Sequence, residues 1–321
     1  MLDINDRNIK TWSIIGSRAA FGMAALDIAK NNKNLIIVTA DVSTSAGLDR
    51  FRKTLPEQYI DVGIAEQNMI GVAAGLASEN YSVITTTFAP FQALRCCEQI
   101  KVNAGYMKQK ICMVGLASGL VLGSLGFTHC CIEDIGVLRS IPGISIISPS
   151  DSLETIKALE AAIKHNESTY IRLTGGSNNP SVNLKDYNFQ IGKGLVLKEG
   201  NDVVIFCNGH MVYQSLLAAD LLQKENISAK VINMHTVKPI DKTLILDSKN
   251  AKLIVTVEEH NVIGGLGSAV AEVHMSEEKF PKQISLGIND RYSGGGTYNF
   301  MLEKYGLTSN KIAKKIKDSL N

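Results

Sequence analysis

The 321-residue sequence contains no run of about 18 uninterrupted apolar residues, so no membrane span is expected. Its opening stretch, MLDINDRNIKTW, has no apolar core and no small-residue cleavage site, and no secretory signal is expected there. Neither charge dominates: 33 Lys plus Arg face 31 Asp plus Glu. That balance argues against a nucleic-acid or membrane-surface footprint. None of the cysteines, Cys96, Cys97, Cys112, Cys130, Cys131 and Cys207, stands in a CxxC pair, which argues against a zinc site or a redox motif. Buried free thiols in a cytoplasmic protein are the plain expectation. Internal repeats and low-complexity tracts are missing as well.

What is present is ordinary globular material, 45% hydrophobic and 20% charged. The length suits about two domains of 100–200 residues each. Short buried strands are expected at 35–39, 82–87, 111–116, 144–147 and 169–173. Helical patterns lie between them at 65–79, 92–105 and 151–165. Strands alternating with helices imply a mainly parallel sheet covered on both faces. The stretch 175–186, with Gly-Gly and Asn-Asn-Pro, reads as a linker. A second series follows, with strands at 202–207, 229–233, 253–257 and 283–286 and helices at 211–224 and 309–320. The chain therefore reads as two α/β domains, residues 1–185 and 186–321.

The segment GIAEQNMIGVAAGLA at 63–77 puts Glu66 in the first turn of a helix that follows a strand. A carboxylate there faces the end of a parallel sheet, where open α/β folds bind ligands. A lone glutamate in that place more often serves the helix dipole. The segment Thr86-Thr87-Phe88-Ala89-Pro90-Phe91 sets two aromatics at a strand-to-helix turn. Gly126-Phe127-Thr128-His129 precedes Glu133-Asp134-Ile135 and then Arg139-Ser140-Ile141-Pro142. Farther on stand Glu258-Glu259-His260 and a glycine-rich turn at 264–268. That turn could cradle a phosphate, but its specificity is low and close packing is the preferred reading.

Taken together, these strings resemble the transketolase family and the related deoxyxylulose phosphate synthases over essentially the whole chain. The resemblance implies a thiamine diphosphate enzyme, carrying the pyrimidine-binding fold and the transketolase C-terminal fold. It implies that Glu66 is catalytic and hydrogen-bonds N1′ of the cofactor's aminopyrimidine. It assigns Phe91 the role of stacking platform, with Phe88 and Ile64 lining the pocket. His129 falls on the substrate-facing side, for proton transfer or hydroxyl binding. Arg50 and His260 are candidate substrate contacts, while Arg139 and Pro142 hold the fold.

In that family a separate domain with a GDG motif and a later Asn holds Mg²⁺ or Ca²⁺ and, through it, the diphosphate. No GDG occurs here. No metal site is expected in this chain, and a separate N-terminal-half subunit is expected to complete it, two copies of each forming a heterotetramer around a homodimer of this chain. The substrate side departs from the family's pattern. Ala117, Leu125 and Gly175 fall where the family carries a histidine, an acid and a phosphate-binding arginine. The implied reaction is transfer of a two-carbon ketol from a ketose donor to a sugar acceptor, with a non-standard substrate. The alternatives are a β subunit of a 2-oxo acid dehydrogenase and a non-catalytic paralogue.

Overall fold

A computed structural model describes residues 2–275 and 277–320. The first half of the chain runs α1 (Asp6–Asn31), β1 (Leu35–Thr39), α2 (Asp49–Thr54), β2 (Tyr59–Asp61), α3 (Glu66–Ser78), β3 (Ser82–Phe88), α4 (Cys97–Ile100), β4 (Ile111–Leu116), α5 (Asp134–Arg139), β5 (Ile144–Ile147), α6 (Ser152–Lys164) and β6 (Ser168–Arg172). The second runs β7 (Leu195–Lys198), β8 (Val203–Cys207), α7 (Met211–Gln223), β9 (Ala229–Asn233), β10 (Thr236–Lys238), α8 (Lys242–Leu246), β11 (Leu253–Asn261), α9 (Leu266–His274), β12 (Gln283–Ile288), α10 (Tyr298–Lys304) and α11 (Ser309–Leu320). The expected fold class, two mainly parallel sheets flanked by helices, is the one observed.

The first sheet has the order β10-β5-β6-β4-β3-β1-β2 and the second β12-β11-β8-β9-β7. Among the described residues only β10 and β7 run antiparallel to their sheet neighbours. Strands such as β1 (LIIVT) and β4 (ICMVGL) are buried along their whole length. Helices on both faces require this, and it explains the unbroken apolar runs. Strand β10 comes from the second half of the chain yet closes the edge of the first sheet against β5.

Two local findings differ from the sequence expectation, and a third lies where none was made. Residues 92–105 are not one regular helix: π-helical turns at Phe91–Arg95 and Lys101–Tyr106 flank the four-residue α4. Strand β11 does not stop at Val257 but continues through Glu258, Glu259 and His260, all buried. Helix α1 spans 26 residues and kinks at Gly16, whose φ of 80° favours glycine.

A buried polar network joins the two sheets. Arg172 on β6 and Asp134 on α5 are both fully buried, with Nε donating to Oδ1 at 3.0 Å and Oδ2 at 2.9 Å. Tyr170 donates to the same carboxylate at 2.8 Å. Arg172 Nη2 donates across the interface to the Glu259 carbonyl at 2.8 Å. Arg139 Nη1 likewise donates to the Gly264 carbonyl at 2.9 Å. Removing one partner of a buried ion pair strands the other charge away from water. Asp134→Ala is therefore expected to cost about 3–5 kcal/mol, read as a lower urea midpoint. Asp134→Asn, which keeps a carbonyl acceptor, is expected to lose less.

Candidate active site

Parallel strands carry their carboxyl ends to one edge of the sheet, and three of those ends build the site. Thr39 on β1 pairs with Asp61 on β2 and with Thr86 on β3, and Phe88 pairs with Leu116 on β4. The chain leaving β2 enters α3 at Glu66. The chain leaving β3 carries Phe88, Phe91 and Arg95. The chain leaving β4 makes the loop that holds His129. Gly119 and Cys131 bond to each other at both backbone positions, at 2.8 and 3.0 Å, and pinch that loop shut. Leu120 N donates to Glu259 Oε1 at 2.6 Å, which ties the loop to the second sheet.

Glu66 occupies the first turn of α3 with its side chain 3% exposed. Arg95 Nη1 donates to its Oε1 at 2.6 Å. The Arg95 guanidinium lies 4.1 Å from the centroid of the Phe91 ring. His129 meets Phe91 edge-on at 5.4 Å and Phe88 at 6.2 Å, and the two phenylalanines are 6.4 Å apart and nearly perpendicular. Thr128 Oγ1 lies 3.0 Å from His129 Nδ1. Glu66, Phe88, Phe91 and His129, separated by more than sixty residues of chain, thus form one cluster. Arg95 joins it without warning from the sequence, because a single arginine in a helical pattern carries no local signal.

Ile64, beside this cluster in sequence, is 77% exposed, an apolar side chain left open where α3 begins. Among the described residues Arg50 makes no contact of this kind. It is exposed on α2 and lines a hollow against α1 with Met23 and Lys30. Among the described residues no hydrogen bond or ring contact joins it to the Glu66 cluster.

His260 requires a correction. It is fully buried, Nδ1 donates to the Asn261 carbonyl at 2.7 Å, and Nε2 accepts from Gly136 N at 3.2 Å. Burial pushes its imidazole down to about 4, so it stays neutral. With both ring nitrogens engaged and no exposed face, it cannot meet a substrate and serves the contact between the sheets. The glycine-rich turn is likewise filled from within. Glu258 accepts from Leu266 N at 2.6 Å and Gly267 N at 2.8 Å, which caps α9 with the protein's own carboxylate.

One departure on the substrate side, Gly175, has a backbone basis. Gly175 has φ 73°, and a Cβ there would lie 2.9 Å from the Asn179 side chain, so an arginine cannot stand at this position without strain. Ala117 is buried with φ 52°, and Leu125 is 56% exposed. Burial pushes the Cys96 thiol up to about 12 and the Cys130 thiol to about 11, away from the thiolate form. Among the described residues no group of three or more His, Cys, Asp or Glu is placed to hold a metal ion. No described helix is long and apolar enough to cross a membrane.

Comparison with known proteins decides the family. Residues 14–179 match the family described as "Transketolase, pyrimidine binding domain", and residues 192–312 match "Transketolase, C-terminal domain". The chain belongs to the transketolase family. It is 37% identical over 292 residues to the 6-deoxy-6-sulfo-D-fructose transketolase subunit SqwH of a Clostridium species, covering 90% of this chain and 89% of the relative. It is 34% identical over 303 residues to an apulose-4-phosphate transketolase subunit of Phocaeicola vulgatus, covering 94% and 96%. A solved structure, described as a split gene transketolase forming an inactive β4 tetramer, superposes with a TM-score of 0.86 at 36% identity. That superposition covers 95% of this chain and 98% of the other. These transketolase relatives are single subunits whose length this chain nearly matches.

Proposed function

We propose that this chain is one subunit of a split, thiamine-diphosphate-dependent transketolase-type transferase. It moves a two-carbon ketol, or a similar acyl-anion unit, from a ketose donor to an aldehyde or ketone sugar acceptor. The observation that carries this reading is the convergence of Glu66, Phe88, Phe91 and His129 at one sheet edge, within a chain of this family. The relatives, named as transketolase subunits, support it.

The residues fit the pyrimidine half of the cofactor. An aromatic face and a buried carboxylate stand together, and they already accommodate one flat, N–H-donating group, the Arg95 guanidinium. When bound, thiamine diphosphate supplies the stabilised acyl-anion chemistry. Glu66 holds and moves a proton at N1′ of the aminopyrimidine. Phe91 supports the ring, for about 1 kcal/mol beyond area burial, while Phe88 and Ile64 line the pocket. His129, half-buried beside them, transfers a proton to the substrate or binds its hydroxyl. The diphosphate and its Mg²⁺ or Ca²⁺ belong to a partner subunit with the GDG and Asn motif. We take residues 1–185 as the pyrimidine-binding unit and 186–321 as the C-terminal unit, although β10 reaches back across that division.

The test is reconstitution. The purified chain, a GDG-containing partner, thiamine diphosphate and magnesium should together transfer a ketol unit between sugars. A correctly assembled, cofactor-loaded pair that transfers none would overturn the reading. A further expectation concerns substrate. An apolar position gains little from a hydroxyl that a polar site would select strongly. Gly175 also cannot supply the bidentate phosphate contact of an arginine. Activity on xylulose 5-phosphate with ribose 5-phosphate should therefore be weak, and better on a differently decorated sugar. A kcat/KM for the standard pair of about 10⁴ M⁻¹s⁻¹ or above would show that the substrate loops have been misread.

A further inference from the structure

One charged side chain in the cluster has no part in the proposed chemistry. Arg95 closes the π-helical turn that begins at Phe91. Its side chain is 43% exposed, while the Glu66 carboxylate it reaches is 3% exposed. One end of the guanidinium donates to Glu66 Oε1 at 2.6 Å, and its carbon stands 4.1 Å from the Phe91 centroid. A single planar group therefore engages both features assigned above to the aminopyrimidine, the aromatic face and the carboxylate.

The chemistry explains why arginine suits that place. A guanidinium is flat, carries N–H donors in its plane, is weakly hydrated and stacks on aromatic rings. An aminopyrimidine likewise is flat and presents N–H donors at its edge. In a chain without cofactor, Glu66 would otherwise be a buried carboxylate beside an aromatic ring with no partner, and burial of an unpaired charge is costly. Arg95 removes that cost. Its root on an irregular π-turn and its exposed flank leave it free to turn outward, and π-turns recur at functional sites.

We propose that Arg95 occupies the aminopyrimidine seat of the unassembled chain and must swing out before the cofactor can enter. The proposal rests on the reading that Glu66 and Phe91 hold the aminopyrimidine. The wild-type chain then binds the ring only through the fraction of molecules in which Arg95 has left, which weakens apparent affinity by that fraction. Arg95 is in this sense a gate on the site, and its removal strengthens binding. An arginine that merely positioned Glu66 would behave in the opposite way.

The experiment titrates the full chain alone with the cofactor's ring fragment, 4-amino-5-hydroxymethyl-2-methylpyrimidine, followed by ligand-observed NMR. Wild type, Arg95→Ala, Arg95→Gln, Glu66→Gln and the double variant Arg95→Ala/Glu66→Gln are compared, each checked for folding by circular dichroism. Arg95→Ala and Arg95→Gln should bind the fragment at least about tenfold more tightly than wild type, and the added Glu66→Gln change should abolish the gain. The glutamine variant keeps helix propensity and decides the matter if the alanine variant is misfolded. Equal or weaker binding by the Arg95 variants, with dependence on Glu66 retained, overturns the gate and leaves the site reading in place. Absence of binding in every variant overturns both.

Discussion

Glu66→Ala, mixed with its partner subunit and cofactor, should turn over at least about 10²-fold more slowly than wild type, because acid–base groups contribute roughly 10²–10⁴-fold. Stability should change by no more than about 1 kcal/mol, since the ion pair it loses is solvent-exposed on the arginine side. The truncation leaves Arg95 without its carboxylate, but that guanidinium can hydrate. The experiment is a steady-state rate on the reconstituted pair alongside a thermal melt and a size-exclusion profile of the variant. Near wild-type turnover would remove Glu66 from the chemistry. A rate loss accompanied by loss of assembly would place Glu66 in the subunit contact instead.

The elements legible in the sequence are those whose environment is uniform. Strands β1, β4 and β5 keep their expected bounds because each is a run buried along its whole length and covered on both faces. Helix α6 announces itself through Asp151, whose side chain accepts from Glu154 N at 2.8 Å. Elements whose stability comes from distant partners were not legible. Strand β10 is three residues long and exists through its pairing with β5, about ninety residues earlier in the chain. The polar end of β11 resembles a loop until Asp134, Arg172 and Tyr298 are seen to surround it. Tyr298 donates to Glu259 Oε2 at 2.6 Å from a helix beyond the second sheet.

The site divides in the same way. Glu66, Phe88, Phe91 and His129 sit in recognisable strings, and parallel topology gathers the ends of β2, β3 and β4. His260 also sits in a recognisable string, yet its role depends on Gly136 and Asp134, more than a hundred residues away, which bury it. Burial also pushes the neighbouring Glu258 and Glu259 carboxyls up to about 7, a sign of how dry the seam between the sheets is. A histidine beside a glycine-rich turn reads as a ligand-binding group only until such a seam is known.

Cofactor binding should depend on the partner subunit far more steeply than on any single residue of this chain. The pyrimidine cluster offers one aromatic face, one carboxylate already engaged by Arg95, and no described group of ligands for the cation that would grip a diphosphate. A divalent cation needs several fixed oxygen ligands. Without them the two phosphates lose their principal anchor, and the ring alone provides little binding energy. The chain by itself should therefore fold and self-associate, yet show no magnesium-dependent binding of thiamine diphosphate by isothermal titration and no ketol transfer. Adding the GDG-containing subunit should produce both, with a mass corresponding to two copies of each chain, since two-fold closure is the common symmetry. Tight magnesium-dependent binding by this chain alone would place a diphosphate site within it and contradict the division of labour between the subunits. Binding without magnesium dependence would instead show that the aromatic cluster holds the ring more strongly than its exposed geometry suggests.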